Sequence, residues 1–353
     1  MKIAFYVSSH GFGHISRCSS LIEYLIQENH EVVLMTLRKN FFQVIPDKLV
    51  IRVIATDLGV EQKNSLEVDI SKTLEKLLES EKNKKLIIEK ELDFLNEFKP
   101  DILVSDSSSM PFLFSSKLKI RSYFLGNFTW DFIYENYSKL HPEFLRISRS
   151  LKNEYSLADY ALILPFSCPI NVFKNTKIVG VLGRKPNNDK KTLREKFQFD
   201  EGMIYYLFSF GAYGLEFQNF QLENLNEKER IVVSRLEALD HEKVIRIDDA
   251  HYPDLVSACD YVVTKPGYGI LSECFFGKTP ILFTDRGDFA EYPFLVNAIE
   301  NHLIGSYISN EELFQLNLQE AIQRIPKNWM PKVQISSFGL EEIYSFFLNP
   351  SLI

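Results

Sequence analysis

The stretch M-K-I-A-F-Y-V-S-S-H-G-F-G-H-I-S-R, residues 1–17, decides the fold. Residues 3–7 are a short apolar run of strand formers, and Gly11 to Gly13 break it. Residues 15–27 then carry apolar side chains at helical spacing: Ile15, Cys18, Leu21, Ile22, Leu25 and Ile26. Residues 31–36 read as a second strand. Strand, glycine loop, helix and strand make a βαβ unit, which implies a parallel sheet with helices on its faces.

The same pattern continues outward. Residues 72–98 form a charged helical stretch with Leu74, Leu77, Leu78, Leu86, Ile87, Leu92, Leu95 and Phe98, ended by Lys99-Pro100. Buried strands are predicted at 102–105 and 122–125. After residue 180 a second series begins, with strands at 204–208, 231–234, 244–247, 261–264 and 280–283 and helical patterns between them. Gly180, Gly183 and the stretch 184–191, with its proline, asparagines and lysines, read as a connection. A length of 353 residues exceeds what one hydrophobic core supports. The expected fold class is therefore α/β, with two Rossmann-like parallel-sheet domains facing across a cleft. The first unit is placed at 1–165, the connecting region at 166–191 and the second unit at 192–336.

Composition removes several function classes. A net charge of −7 argues against a sequence-independent nucleic-acid binder, which needs a basic surface. The four cysteines, Cys18, Cys168, Cys259 and Cys274, form no C-x-x-C pair. Neither a zinc site nor a disulfide framework is indicated, and buried free thiols are expected. The N-terminus runs straight into a strand without a signal-peptide layout, and no apolar run approaches the ~20 residues of a membrane-spanning helix. The expected location is the cytoplasm. The lysines at 82, 84, 85 and 90 alternate with glutamates and read as a solvated helix face, so membrane association is at most peripheral.

In open parallel sheets, ligands sit beyond the carboxyl ends of the strands. Three glycine-bearing loops fall there. The first is S-H-G-F-G-H, residues 9–14. Gly11, Phe12 and Gly13 let backbone approach a ligand, and His14 sits at the helix start, where a neutral imidazole can accept a proton. The third glycine of a dinucleotide fingerprint is replaced by Ser16, and no phosphate-loop Lys-Ser/Thr follows. The second loop is S-F-G-A-Y-G, residues 209–214, whose Gly211 and Ala212 amides suit a diphosphate. The third is K-P-G-Y-G-I-L-S-E, residues 265–273. Lys265 offers a cation, Gly267, Tyr268 and Gly269 a close backbone approach, and Glu273 a carboxylate that can hold a ribose diol.

With its Glu273 and the later Asn297-Ala298 pair, this third loop resembles the donor-binding region of family 28 glycosyltransferases. S-H-G-F-G-H-I-S-R at 9–17, P-D-I-L-V-S-D at 100–106 and N-F-T-W-D-F-I-Y-E-N-Y at 127–137 are more particular. They resemble the glycosyltransferase-like N-terminal half of L-arabinokinases and its stand-alone bacterial relatives. The resemblance spans nearly the whole chain and implies a GT-B fold. It implies a nucleotide-sugar donor, with UDP favoured, held mostly by the second unit; Glu273 would bind the ribose, and Gly211 and Gly267 would lie near the diphosphate. It implies His14 as general base, Asp106 as the group that orients it, and a last helix, within 337–353, that crosses back to the first unit.

This sequence departs from the family at D-F-A-E-Y-P-F-L-V-N-A, residues 288–298. The usual glutamine before N-A is missing, and Asp288 and Glu291 stand nearby as the donor-sugar candidates. The ATP loop of the kinase half is not found, so arabinose phosphorylation is not expected.

The expected chemistry is transfer of a sugar from a nucleotide-diphosphate donor to a hydroxyl acceptor, by displacement at the anomeric carbon with inversion. No D-x-D is present, so no metal site is expected, and no cofactor is expected to stay bound. Trp130 beside Asp131 suggests a sugar platform, and Arg17 a group that steers an anionic acceptor. Two other readings stay open: a nucleotide-sugar-binding module without turnover, and a sugar-nucleotide epimerase of the same fold.

Overall fold

A computed structural model describes residues 1–352 apart from 9, 40, 43–44, 64–66, 212–219 and 235–240. The first unit contains β1 (Lys2–Val7), α1 (Gly13–Gln27), β2 (Glu31–Met35), β3 (Leu49–Arg52), α2 (Ile70–Phe98), β4 (Ile102–Asp106), α3 (Pro111–Leu118), β5 (Arg121–Gly126), α4 (Trp130–Tyr137), α5 (Glu143–Tyr155), β6 (Tyr160–Ile163) and β7 (Thr176–Ile178). The second contains α6 (Lys190–Lys196), β8 (Ile204–Ser209), β9 (Glu229–Val233), β10 (Val244–Arg246), α7 (Tyr252–Ala258), β11 (Tyr261–Thr264), α8 (Tyr268–Gly277), β12 (Ile281–Phe283), α9 (Tyr292–His302), β13 (Gly305–Tyr307), α10 (Asn310–Phe314) and α11 (Leu318–Gln323). Last comes α12 (Gly339–Leu348).

Among the described residues the strands form two parallel sheets, ordered β3-β2-β1-β4-β5-β6-β7 and β10-β9-β8-β11-β12-β13. Each reverses its strand order beside its first strand, between β1 and β4 and between β8 and β11. Crevices at such reversals are where ligands bind in open α/β sheets.

Burial on both faces explains the continuous apolar strands. In β1, Ile3, Phe5 and Val7 pack with Leu21, Ile22 and Leu25 of α1, while Ala4 and Tyr6 pack on the other face with Leu95, Phe112 and Phe114. In β8, Tyr206 and Phe208 join Leu313 and Leu318, and Tyr205 and Leu207 join Leu255 and Leu271. The alternation is the period-two geometry of a strand. The long helix α2 starts where the Asp69 side chain accepts from the Lys72 amide at 2.9 Å. It ends with Lys99 in the left-handed region at φ 52, before Pro100.

The structure differs from the sequence reading at the connection. Residues 176–178, read as linker, are β7, the edge strand of the first sheet. Their side chains are all exposed, so no apolar run marked them. Helix α12 lies against the first unit: Ile343, Phe346 and Phe347 enter the core formed with α1. Tyr123 donates to the Phe346 carbonyl at 3.1 Å. All four cysteines are free and buried. No helix among the described residues is long and apolar enough to cross a membrane.

Candidate functional site

Neighbouring strands bring the first two site residues together. β1 and β4 pair in register with Val7 opposite Asp106. The loop after β1 therefore delivers His14, in the first turn of α1, to the end of β4. His14 Nδ1 lies 2.5 Å from Asp106 Oδ1, and both are buried. A proton on Nδ1 is donated to the carboxylate, which leaves the Nε2 lone pair free to accept one.

Asp106 holds more than His14. Arg17 Nε donates to Oδ2 at 2.9 Å and Arg17 Nη2 to Oδ1 at 3.0 Å. Cys18 Sγ donates to Oδ2 at 2.9 Å. Arg17 and Cys18 follow His14 by three and four residues, so all three share one face of α1. Arg17 also donates to the Asn127 side chain, just past β5. Burial alone would raise the Asp106 carboxyl, but the Arg17 guanidinium and His14 hold it well below the usual carboxylate range. Arg17 is thus only 2% exposed and committed to Asp106. The expectation that it steers an acceptor is corrected: it is the counter-ion of a buried carboxylate.

The loop after β11 arrives from the other unit. Glu273 Oε1 accepts from Ser16 Oγ of α1 at 3.1 Å and from Arg184 Nη2 at 2.5 Å. No described bond reaches Oε2. Gly13 and Gly269 meet face to face: a Cβ on Gly269 would stand 3.1 Å from Gly13 Cα. At these two glycines α1 packs closely on α8. Gly11, Gly211 and Gly267 have open space where a Cβ would be, and Gly11 and Gly211 take φ of +71 and +73. They are the glycines free to bring backbone to a ligand. Ala212 lies outside the described residues.

Several other expectations are revised. Trp130 is 3% exposed, not an open platform. Its Nε1 donates to Asp57 at 2.9 Å, and Phe128, Tyr134 and His10 surround its ring. Asp131 is buried with Oδ1 unpartnered, and burial raises its carboxyl; Lys152 and Glu135 are its charged neighbours. That places it toward α5, away from His14. Tyr268 stacks on Phe128 at 5.7 Å, and its hydroxyl lies 3.3 Å from Cys168 Sγ, so its ring joins the two units. Asn297 is exposed and accepts from Asn301 at 2.7 Å; no described contact joins it to the other site residues. Asp288 is exposed, whereas Glu291 is buried and paired with Arg286 at 3.1 Å. Phe12 is 43% exposed and packs its ring under Arg38, 4.8 Å from the guanidinium carbon.

Sequence reasoning passed over Arg38, Arg286, His10 and Tyr137. The two arginines lie just past β2 and β12, and position beyond a strand end was the available signal. Lys265, past β11, is pushed down to about 7 by burial and by Arg286, against the opposing pull of Glu291. Tyr137, on α4, is 3% exposed with an unpartnered hydroxyl, and Glu291, Arg286 and Asp288 are its charged neighbours from the second unit. Two surface concavities, about 310 and 490 Å³, lie elsewhere. The first is lined by Tyr261, Pro280 and Ile304, at the amino ends of β11, β12 and β13, opposite the end that carries these loops.

Residues 1–127 match the family described as glycosyl transferase family 1. The chain is 30% identical over 328 residues to L-arabinokinase of Arabidopsis thaliana, covering 89% of this chain and 31% of that protein. It thus spans about a third of the length of that curated relative. Among solved structures it is similar to the calicheamicin glycosyltransferase CalG4, with a TM-score of 0.62, 14% identity, and 97% and 92% of the two chains covered. It is also similar to Arabidopsis thaliana UGT89C1 complexed with UDP-L-rhamnose, with a TM-score of 0.59, 14% identity, and 92% and 91% covered.

The chain has the GT-B glycosyltransferase fold. Within that fold, its residues 1–127 are similar to a glycosyltransferase family. The two GT-B sheets face each other here through α1 and α8, and His14 and Glu273 come from opposite sides of that contact.

Proposed function

We propose that this chain transfers a sugar from a nucleoside diphosphate donor, a UDP-sugar, to a hydroxyl acceptor, with inversion and without a metal ion. The observation that carries the reading is His14 Nδ1 bound to Asp106, with Nε2 left as the base. The UDP and UDP-L-rhamnose complexes of a neighbour with the same fold support the donor class.

In this reaction the acceptor O–H gives its proton to His14 Nε2. The acceptor oxygen bonds to the anomeric carbon, and the bond from that carbon to the diphosphate oxygen breaks with its electron pair. Asp106 fixes the imidazole tautomer and stabilises the imidazolium, as the third member of a triad does. Arg17 is a positioning residue that keeps Asp106 ionised and in place. General-base assistance of this kind contributes about 100- to 10,000-fold. Amides at Gly211 and Gly267, with Lys265, receive the charge that develops on the leaving diphosphate. Glu273 Oε2 accepts from the ribose while Oε1 stays with Ser16 and Arg184.

A thermal-shift screen of nucleotide-sugars identifies the donor, since a ligand that binds the folded state raises Tm by mass action. Release of the nucleotide diphosphate, with water as the basal acceptor, then tests the base. His14→Ala abolishes release and leaves diphosphate affinity intact. Undiminished release in that variant removes His14 from the role, and binding without release in the wild type favours a non-catalytic binding module.

A further inference from the structure

Three cations converge on the loop that opens the first unit. Arg38 follows β2, Lys265 follows β11 and Arg286 follows β12, so they project from the carboxyl ends of strands in opposite sheets. Each arginine is held by an aromatic ring: Arg38 by Phe12 at 4.8 Å and Arg286 by Phe289 at 4.1 Å. A ring face fixes a guanidinium without using its hydrogens. Arg38 Nε and Arg286 Nε are buried without a hydrogen-bond partner. Buried guanidinium N–H groups are seldom left unmade, because the desolvation cost is not recovered.

The charge balance points the same way. Glu291 pairs with Arg286, and no described carboxylate pairs with Arg38. His10 lies among these groups, pushed down to about 3 by burial and by His14, Arg286, Lys265 and Arg38, all of them basic. It is therefore neutral and adds no charge. Two guanidinium groups against the one carboxylate paired with them, Glu291, leave an excess that suits an anion.

We propose that Arg38 and Arg286, one from each unit, clamp the donor's diphosphate across the cleft and supply the neutralisation that other transferases take from a metal ion. The proposal rests on the nucleotide-sugar reading above, but it can be tested apart from it, because the anion alone is a sufficient probe. Planar guanidinium groups suit phosphate oxygens, donating two hydrogen bonds at once.

The test is calorimetric titration of the full chain with inorganic pyrophosphate and with UDP, for the wild type, Arg38→Gln and Arg286→Gln. Circular dichroism and Tm confirm that each variant folds. Because Arg286→Gln strips a buried Glu291 of its partner, the double variant Arg286→Gln/Glu291→Gln accompanies it. Each arginine variant is expected to weaken both ligands about tenfold or more. Arg38→Lys is expected to recover only part of the loss. If pyrophosphate binds and weakens in the variants but UDP does not bind, the clamp stands and the nucleotide reading fails. If UDP binds the wild type and folded Arg38→Gln equally well, the clamp is overturned while the nucleotide reading survives. A wild type that binds neither ligand overturns both.

Discussion

Asp106 is the residue on which the first half of the site depends. It is fully buried, yet it accepts from His14, Arg17 and Cys18 at once. Removing its charge strands Arg17 in the interior and weakens the acceptor that orients His14. Asp106→Asn is expected to cost about 3–5 kcal/mol of stability, as breaking a buried pair does. It is also expected to slow nucleotide release by about 10,000-fold, as loss of the orienting carboxylate does elsewhere. A denaturation midpoint and a turnover rate both unchanged would contradict this role. Because its carboxyl is held low in the folded state, Asp106 contributes stability that is full above the ordinary carboxylate range and is lost as pH falls through the folded value. Lys265 behaves in the opposite sense toward a ligand. Its ammonium, pushed to about 7, faces Arg286 and Glu291 with His10 nearby, and it is charged only below that value. UDP affinity is expected to fall between about pH 7 and pH 8.5, where the ligand's own charge is settled. Titrations in that range check it: Lys265→Met should bind more weakly and lose the dependence. A wild-type affinity that holds steady would contradict the assignment.

At the scale of elements, the decisive contact is α1 on α8. Gly13 and Gly269 allow the two helix starts to touch, and Ser16 and Glu273 bond one turn further on. Gly269→Ala adds a methyl 3.1 Å from backbone that has no flexible end to move. It is expected to destabilise by about 1–3 kcal/mol, the range for overpacking, and to weaken nucleotide binding by shifting Glu273. Thermal unfolding and UDP titration of that variant measure both, and wild-type values in each would show that the helices do not meet. This contact also marks what the sequence could reveal. The glycine loops were legible as breakers after strands, and so was their position beyond the strand ends. Which glycines face open space and which meet a neighbouring helix was not, because that depends on a partner over 250 residues away. Trp130 failed for a similar reason: an aromatic beside an aspartate reads alike whether a sugar or Phe128 and Tyr134 cover it. Arg17 read as an acceptor-steering group because its buried counter-ion lies on another strand.

The whole molecule is two parallel sheets whose apolar strands announced themselves, joined by elements that did not. Strands β3, β7 and β13 are short or exposed on one side and carry little periodicity. The units are tied together by α12, whose Phe347 packs on Tyr123 at 4.9 Å in the core of the first sheet. Phe347→Ala is expected to cost about 3–5 kcal/mol, read as an earlier transition in chemical denaturation. They are tied again by an apolar cluster that runs from Phe128 and Trp130 to Tyr268, Phe289 and Leu295. His14 and Glu273 therefore share one boundary, and a donor that occupies it must touch both units. Calorimetric titration of UDP against the wild type and Glu273→Ala, each shown to be folded by its Tm, tests that claim most directly. The wild type should bind and the variant should bind about tenfold or more weakly, since the buried carboxylate proposed to accept from the ribose diol is lost. Equal affinity in the two proteins would contradict it.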